Sequence, residues 1–464
     1  MTSMFPEPTF YPSPKIAMES PRETCAYVAV LHRYGDERPD AIVKIDLDPN
    51  SGTYGTVLDR LDLPYVGDEL HHFGWNACSS CLCPFAAHPH IERRFLIVPG
   101  IRSSRLYIID TKHPSGKLTV HQTIEPEEIE KKTGYSRLHT IHCGPNGIYV
   151  SALGNPEGDG PGGILYLDHN TFQVLGRWEL DKGPQYYSYD FWWHLGHDTL
   201  VTSEWGSPKM YESGLIAEKI LNCEYGHRLH FFNLTTRKHI QEIDLGKEHQ
   251  MVLELRPAHD PAKAYGFASV VISTKDLSSS IWLWYLEDKT WKAKKVIEIP
   301  AQPSESDLLP PFIADFKAVP PLVSDIVLSV DDRLLYVSCW GTGELLQYDV
   351  SDPFNPKHTA TLKIGGIVSR TPHPKHPEKA LNGGPQMVEC SRDGRHLYFT
   401  NSLYSTIDDQ LYPDEIKGWM VKVNADPEGG MEFDPDFFID FGDERPHQIR
   451  LEGGDASTDS YWFS

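Results

Sequence analysis

Apolar and polar positions alternate along this chain in short runs, and the runs come in pairs separated by polar turns. In each pair an apolar strand ends in an acidic or amide residue, a polar turn follows, and a second strand completes a hairpin, as is typical of antiparallel β-structure. Such hairpins recur at intervals of roughly 50 to 75 residues. The seven copies begin at Ala41, Arg105, Gly163, Arg228, Ser280, Glu344 and Trp419.

A second two-stranded element precedes the hairpins. Clear copies are DIVLSVDDRLLYVSCWG from Asp325 and QMVECSRDGRHLYFTNSLY from Gln386, each with a DD or DG turn between its strands. Weaker copies begin at His139, Asp190 and Glu254, and the copy from Ala77 carries an insertion. Two strands plus two strands make one four-stranded blade, so the pattern predicts an all-β fold, a seven-bladed β-propeller.

The two ends of the chain complete one blade in this arrangement. TCAYVAVLH from Thr24 supplies a second strand without a first, and HQIRLEGG from His447 resembles a first strand without a second. We therefore expect the C-terminal segment to close the ring, because closure removes exposed sheet edges. Residues 1–20 are predicted to form an N-terminal arm and residues 21–464 the propeller, with irregular proline-containing insertions at 300–319 and 369–381.

Composition narrows the classes of partner. The 464 residues are 40% hydrophobic and 23% charged, which suits a soluble globular protein. A net charge of -22 argues against binding to a nucleic-acid backbone or to an anionic membrane surface. The N-terminus has no apolar core of a signal peptide, and no apolar run reaches the length of a membrane span. We expect a cytoplasmic protein without stable membrane insertion, in which most of the eight cysteines are free thiols.

Histidines recur at the starts of the predicted first strands. The first strand of every blade lines the central channel of a propeller, so residues that open these strands meet near the axis. Neutral imidazole is a good ligand for copper, zinc, iron or nickel. The predicted metal ligands are His71, His72, His139, His142 and His447. Asp190, Glu254 and Asp325 open other first strands and are expected to orient the rings.

The alternative for these histidines is an ordinary hydrogen-bonded role in the core or at the surface, because the chain has 22 of them. Three blade starts that carry histidine favour the metal over that alternative. Five further histidines are predicted to be surface or turn residues: His88, His90, His194, His197 and His259.

A CxxC pair, Cys78 and Cys81, follows His71 and His72 closely, with Cys83 behind it. Its position favours a redox or metal-adjacent role, and two ordinary buried thiols are the alternative. Cys143 follows His142 and is expected within reach of the same site. The aromatic stretch Tyr186–His194 is predicted to pack between blades or to line an apolar substrate pocket.

The segment DELHHFGWNACSSC, from Asp68 to Cys81, resembles the selenium-binding protein family, which includes the methanethiol oxidases. The resemblance continues through LHTIHC, YDFWW, SEWGSP, SDIVLSVDDRLLYVSCW, QYDVSDP, GGPQM, LYFTNSLYS and the final GGD, from about Pro21 to the C-terminus. The family fold is a seven-bladed propeller, which agrees with the repeat count.

The resemblance implies a copper-dependent oxidation of methanethiol by O2 and water to formaldehyde, hydrogen sulfide and hydrogen peroxide. It implies copper ligation by His71, His72, His139 and His447, with His142 a further candidate. Copper would bind the thiolate and pass electrons to O2. Catalytic roles are expected for His71, His72, His139, Cys78 and Cys81.

Two alternatives stay open at this point. One is a non-enzymatic propeller that holds selenium or a heavy metal through Cys78 and Cys81, or that docks protein partners. The other is a different transition metal in the histidine site. Animal members of the family carry a cysteine, proposed to attach selenium, where this chain has Gly55. Any selenium would therefore have to bind at Cys78, Cys81 or Cys83.

Overall fold

Four-stranded antiparallel sheets make up most of the chain. The structure, a computed structural model, describes residues 7–82, 91–372 and 376–464. Within those ranges seven four-stranded sheets follow one another around a central channel, and each keeps the strand order expected of a blade. The predicted seven-bladed β-propeller is confirmed.

The blades are numbered along the chain, with the strands of each given from the channel outward. Blade 1 consists of Arg445–Leu451, Cys25–Leu31, Pro39–Asp46 and Val57–Val66; blade 2 of Gly74–Trp75, Phe95–Pro99, Leu106–Asp110 and Thr119–Ile124. Blade 3 consists of Ser136–Gly144, Gly147–Gly154, Gly163–Leu167 and Val174–Arg177; blade 4 of Phe191–His194, Thr199–Thr202, Arg228–Asn233 and Lys238–Asp244. Blade 5 consists of His249–Pro257, Tyr265–Ser273, Ser279–Glu287 and Thr290–Ile299. Blade 6 consists of Val323–Leu328, Leu334–Cys339, Glu344–Asp349 and Lys357–Lys363; blade 7 of Val388–Cys390, His396–Thr400, Gly418–Ala425 and Met431–Gly442.

Short elements lie between and beside the blades. Two small strand pairs join Gln302–Pro303 to Ala318–Val319 and Thr371–Pro372 to Ala380–Leu381, so the predicted insertions contain more regular structure than their proline content indicated. The described helices are Pro14–Met18, Pro126–Thr133, Ala217–Leu221 and Ser405–Leu411, with 3-10 turns at Ser79–Leu82, Leu195–His197, Pro208–Met210, Ser306–Leu308 and Ala314–Phe316. Among the described residues no helix has the length and apolar character needed to traverse a bilayer.

The C-terminal strand closes the ring, as the sequence predicted. Arg445–Leu451 pairs antiparallel with Cys25–Leu31, placing Ile449 opposite Val28 and Leu451 opposite Ala26. Ile449 is buried in a cluster that joins residues of blades 1 and 7. Strands from opposite ends of the chain therefore share one sheet and one core.

Every inner strand begins at the same end of the channel, which we call the upper face. Connections from second to third strands, and from one blade to the next, also lie on this face. Four of them are long: 203–227, 300–322, 364–387 and 401–417. Their described apolar side chains form one cluster over the channel mouth, here called the roof, which includes Met210, Tyr225, Leu309, Ile313, Ile367, Tyr404, Ile407 and Leu411.

The C-terminal tail covers the lower end of the channel. The buried carboxylate of Asp459 pairs with Arg93 at 2.9 Å and with Arg392. The N–H of Ala456 donates to the carbonyl of Cys390 at 2.9 Å, and the carbonyl of Ala456 lies 2.6 Å from Nε2 of His259. The tail thus fixes the exits of several inner strands at once.

Two histidines that the sequence placed in surface or turn positions are buried at this lower end. His259 lies under the C-terminal tail, and His194 contacts the carbonyl of Lys263. The turns that carry them are covered by later segments of the chain, which their local sequence does not reveal. His197 is half-buried in a turn, and His88 and His90 lie outside the described residues.

We expect Ile449→Ala to lower the free energy of unfolding by about 2–5 kcal/mol, because it leaves a cavity in the core that closes the ring. The matched control is Ile240→Ala on the outer strand of blade 4, where the side chain is 54% exposed. Urea unfolding followed by tryptophan fluorescence measures both. Equal midpoints for the two variants would contradict the role given to the closing strand.

Candidate metal centre

Four imidazoles lie together at the upper end of the channel. His71 and His72 immediately precede the inner strand of blade 2, whereas His139 and His447 lie within the inner strands of blades 3 and 1. None of the four side chains is more than 2% exposed. Ring closure therefore brings together histidines from three distant parts of the sequence.

Ring nitrogens of three of these histidines are close enough to share one ion. One nitrogen from each of His71, His72 and His447 lies within 4.8 Å of the others. His139 belongs to the same group, because its Nε2 lies 2.8 Å from Nδ1 of His71 and its ring centre is 4.1 Å from that of His72. The structure thus gathers four of the five histidines predicted as ligands.

Irregular backbone aims these side chains at the axis. The inner strands of blades 1, 3, 5 and 6 each carry one extra residue relative to their partner strand, which is a β-bulge. A bulge interrupts the alternation of side chains and re-aims them. Glu69 and Arg137, two residues before His71 and His139, adopt left-handed φ angles of 52° and 59°. Such conformations cost energy in a residue other than glycine, and they recur at functional sites.

Two consecutive carbonyls of the roof orient two of the rings. The carbonyl of Ser402 accepts a hydrogen bond from Nδ1 of His447 at 2.7 Å, and the carbonyl of Leu403 accepts one from Nε2 of His71 at 2.7 Å. A carbonyl can only accept, so these nitrogens carry the hydrogens. In the neutral rings the lone pairs are then on Nε2 of His447 and Nδ1 of His71.

Burial keeps the imidazoles uncharged. It lowers the pKa of His71 to about 3 and the pKa values of His72, His139 and His447 well below the usual value. The buried Nε2 atoms of His72 and His447 have no hydrogen-bond partner. Neutral imidazoles with unused lone pairs are the ligands of copper, zinc, iron or nickel, so the donor set fits a transition metal of this group.

A buried charged layer lies one level below the imidazoles. Arg256 Nη2 lies 3.0 Å from Oδ1 of Asp325, and its Nη1 lies 3.2 Å from Oε2 of Glu254 and 3.6 Å from Oδ2 of Asp190. The other Glu254 oxygen, Oε1, faces Nε2 of His72 at 3.7 Å and has no hydrogen-bond partner. Of the three acidic residues expected to orient the rings, Glu254 is placed against one of the four.

The three carboxyl groups of this layer are harder to ionise than carboxyl groups in water. Burial raises the pKa of Glu254 and of Asp325 to about 8 each, and that of Asp190 to about 6, while the Arg256 guanidinium opposes all three shifts. One buried cation therefore holds the group together, and at neutral pH the layer carries less negative charge than its three side chains would in water.

A small cavity of about 30 Å³ adjoins His71. Its lining combines blade strands with the roof: Tyr189, Trp205, Leu215, Met251, Leu253, Val271, Leu322, Val323, Ser324, Trp340, Gln386, Leu403, Ile407 and Leu411. Most of these side chains are apolar. The amide oxygen of Gln386 is buried and has no hydrogen-bond partner.

The aromatic stretch Tyr186–His194 serves both purposes that the sequence suggested. Tyr189 lines the cavity and packs against His139 with ring centres 4.4 Å apart. Trp193 packs between blades 4 and 3, with its ring centre 5.0 Å from that of Tyr149. Tyr189 therefore faces the cavity, whereas Trp193 packs between two blades.

His142 is not brought to the other four histidines. Its ring stacks on Trp192 with centres 3.8 Å apart, and its Nε2 faces Asp190 at 3.9 Å. His142 lies three positions after His139 in an extended strand, and that spacing corresponds to roughly 10 Å along the channel. We therefore leave His142 out of the candidate ligand set, correcting the expectation from the sequence.

Cys78 also lies away from the imidazoles, at the lower end of the channel. Its Sγ is 2.9 Å from Oγ of Ser80 and 3.2 Å from the carbonyl of Cys143, which lies near the end of an inner strand. The strand Gly74–Trp75 carries the chain from the upper to the lower end between His72 and Cys78. The metal-adjacent role expected for Cys78, and the reach expected of Cys143, do not agree with these positions.

The remaining cysteines of that segment cannot be placed in the same way. The backbone of Cys81 belongs to the turn Ser79–Leu82, but its side chain, like all of Cys83, lies outside the described residues. A catalytic role for Cys81 stays a prediction.

Sequence reasoning missed the roof contacts. Nothing in the residue types of Ser402 and Leu403 marks their carbonyls as ring acceptors. One sequence signal could have indicated these contacts: an ionisable residue lies two positions before His71 and two positions before His447. Glu69 Oε1 accepts from the N–H of Ser405 at 2.6 Å, and Arg445 Nη1 donates to the carbonyl of Ser405 at 2.8 Å. Both residues thus tie the roof to the histidine strands.

Comparison with known proteins agrees with this fold and identifies the family. The family profile described as "56kDa selenium binding protein (SBP56)" matches residues 4–462. A protein of Xenopus laevis named methanethiol oxidase is 39% identical, with 97% of each chain covered. Selenium-binding protein 3 of Arabidopsis thaliana is 36% identical over 97% of this chain and 96% of its own.

Solved structures give the same result. An X-ray structure of a hypothetical selenium-binding protein from Sulfolobus tokodaii is 58% identical, covers 99% of this chain and 100% of its own, and superposes with a TM-score of 0.96. A putative 6-phosphogluconolactonase from Bacteroides uniformis, 10% identical with a TM-score of 0.55 over 93% of this chain and 100% of its own, shares the fold alone. The chain therefore belongs to the 56 kDa selenium-binding protein family.

Proposed function

We propose that this protein is a copper-dependent methanethiol oxidase. In the proposed reaction methanethiol, O2 and water give formaldehyde, hydrogen sulfide and hydrogen peroxide. The methyl carbon loses two electrons, O2 gains two, and the water oxygen ends in formaldehyde, so atoms and electrons balance. The observation that carries the proposal is the group of four buried, neutral imidazoles beside a small apolar cavity.

His71, His72, His139 and His447 would hold the metal. A copper ion bound there supplies a Lewis acid that favours the thiolate and a redox centre between thiol and O2, which side chains alone do not provide. The chain itself supplies orientation, because the carbonyls of Ser402 and Leu403 fix two of the rings. The apolar side chains of the roof cover the channel mouth above the rings.

The names of some relatives support the oxidase. Proteins named methanethiol oxidase from Xenopus laevis and Danio rerio are 39% and 38% identical to this chain over 97% of its length. We further propose a cytoplasmic location, in keeping with the buried free thiols of Cys25, Cys78, Cys339 and Cys390. The proposed partners are the thiol and O2.

A second candidate is selenium or heavy-metal binding at Cys78 and Cys81. It is favoured by relatives named selenium-binding protein and by the buried Sγ of Cys78 near the Cys143 carbonyl. Gly55, where the resemblance implies a cysteine in animal members of the family, adopts a left-handed φ of 70° in a turn. A cysteine side chain there would be strained, and this chain offers no thiol at that position.

We expect purified protein to bind about one copper ion, and His139→Ala to lose it, because the variant removes one of four converging ligands. His142→Ala is a matched control, since the same strand carries that histidine away from the cluster. Elemental analysis and the electron paramagnetic resonance spectrum of Cu²⁺ are the measurements. Equal loss of copper in both variants, or a preference for zinc over copper in the wild type, contradicts the assignment.

Turnover gives an independent test. Copper-loaded wild type should release sulfide and peroxide from methanethiol in equal amounts, and His139→Ala should lose more than the roughly 10- to 100-fold typical of altered outer contacts. His142→Ala should retain most of the rate. Absence of sulfide and peroxide from fully loaded wild type would exclude the oxidase.

One cysteine variant distinguishes the two candidate functions. We expect Cys78→Ser/Cys81→Ser to keep its oxidase rate, because Cys78 lies at the opposite end of the channel from the imidazoles. Selenite binding measured on the same variant reports the second function. A large loss of sulfide release in this folded, copper-loaded variant would show that the cysteines take part in the oxidation.

A further inference from the structure

The cavity beside His71 holds only a very small molecule. Its volume is about 30 Å³, whereas a single buried water takes up about 10–15 Å³ of such space. Two or three water-sized groups therefore fill it. A sulfur atom with a methyl or ethyl group meets this limit, and a peptide thiol such as glutathione exceeds it many times over.

The walls restrict the chemistry as well as the size. Leu253, Val271 and Val323 come from the blades, and Ile407 and Leu411 come from the roof helix. These side chains offer no hydrogen bond to a charged or strongly polar group, so such a ligand would lose its hydration without replacement. The lining favours an uncharged molecule with an alkyl group.

Polar side chains interrupt the apolar lining at His71, Tyr189, Ser324 and Gln386. The Ser324 hydroxyl donates to the backbone carbonyl of Gln386 at 2.9 Å, whereas the side-chain amide oxygen of Gln386 is buried and has no hydrogen-bond partner. An unpartnered buried acceptor favours a ligand that brings a hydrogen-bond donor. A short alkanethiol has both features: an alkyl group for the walls and an S–H for the oxygen.

We propose that this cavity is the substrate pocket, that it limits the substrate to alkanethiols of one or two carbons, and that Ile407 and Leu411 set the limit. Gln386 acts as a positioning residue that accepts the S–H before the proton is lost. The proposal rests on the proposed oxidase function and adds to it the part of the molecule that selects the substrate.

The test compares alkanethiols of increasing length on the copper-loaded protein. We expect kcat/KM to fall by at least about 10-fold for each carbon beyond ethanethiol, because an extra methylene has no room. Leu411→Ala should raise the ratio of kcat/KM for 1-butanethiol to that for methanethiol by about 10-fold or more. Leu309→Ala is the matched control: the same change in the same roof cluster, at a residue that does not line the cavity.

Two milder variants cover the case in which Leu411→Ala does not fold. Ile407→Val removes one methyl group from the wall and should shift the same ratio in the same direction. Gln386→Met keeps the size of the side chain and removes the acceptor, so it should raise KM for all thiols while leaving kcat and the chain-length ratio nearly unchanged. A merely structural role of Gln386 would not separate KM from kcat in this way.

The outcomes distinguish the two proposals. Steep selection by chain length that relaxes in Leu411→Ala or Ile407→Val, and not in Leu309→Ala, supports the pocket. Turnover of methanethiol and 1-butanethiol at equal kcat/KM overturns the pocket and leaves the oxidase standing. Turnover of no thiol by the copper-loaded wild type overturns both.

Discussion

The pairing of Arg445–Leu451 with Cys25–Leu31 is the interaction on which the site depends. It joins the two ends of the chain in one sheet, and only through it does His447 reach His71. The bulge in this closing strand lies beside His447, where the register shifts between Val28 and Val30. Closure and ligand geometry are therefore properties of the same strand. A change that weakens the sheet also disperses the imidazoles.

The roof converts this arrangement into an enclosed site. Residues 402–411 supply carbonyls that orient two rings and side chains that wall the cavity. Glu69 and Arg445 hold the same segment through Ser405. Each of them lies two residues before a histidine, His71 or His447, whose ring the segment orients. Any motion that opens the roof therefore also changes the hydrogen bonds of His71 and His447. Access to the cavity and orientation of the rings are therefore coupled, because the same ten-residue segment, 402–411, controls both.

The repeat pattern was enough to predict the blades, the closing strand and the meeting of His71, His72, His139 and His447, because inner strands share one direction and one end. It could not place His142 correctly. Both histidines belong to the same predicted first strand, but their depth in the channel decides whether they share an ion, and His142 lies a layer below His139. Roof contacts were unpredictable for a different reason: a backbone carbonyl has no signature in residue type, and long insertions carry no periodicity.

Burial decides between the two candidate centres. Folded proteins satisfy most of their buried polar atoms, and each one left without a partner costs about 1–3 kcal/mol. At the upper end of the channel the Nε2 atoms of His72 and His447 and the Oε1 of Glu254 are all buried and unpartnered within one small region. Stability alone opposes such a group, and a cation among the imidazoles would satisfy their lone pairs. Cys78 is different, because its Sγ already contacts the Ser80 hydroxyl and the Cys143 carbonyl. Of the two candidate centres, the histidines have buried atoms without a hydrogen-bond partner and the Cys78 thiol does not, which favours the upper end of the channel as the place where the chemistry occurs.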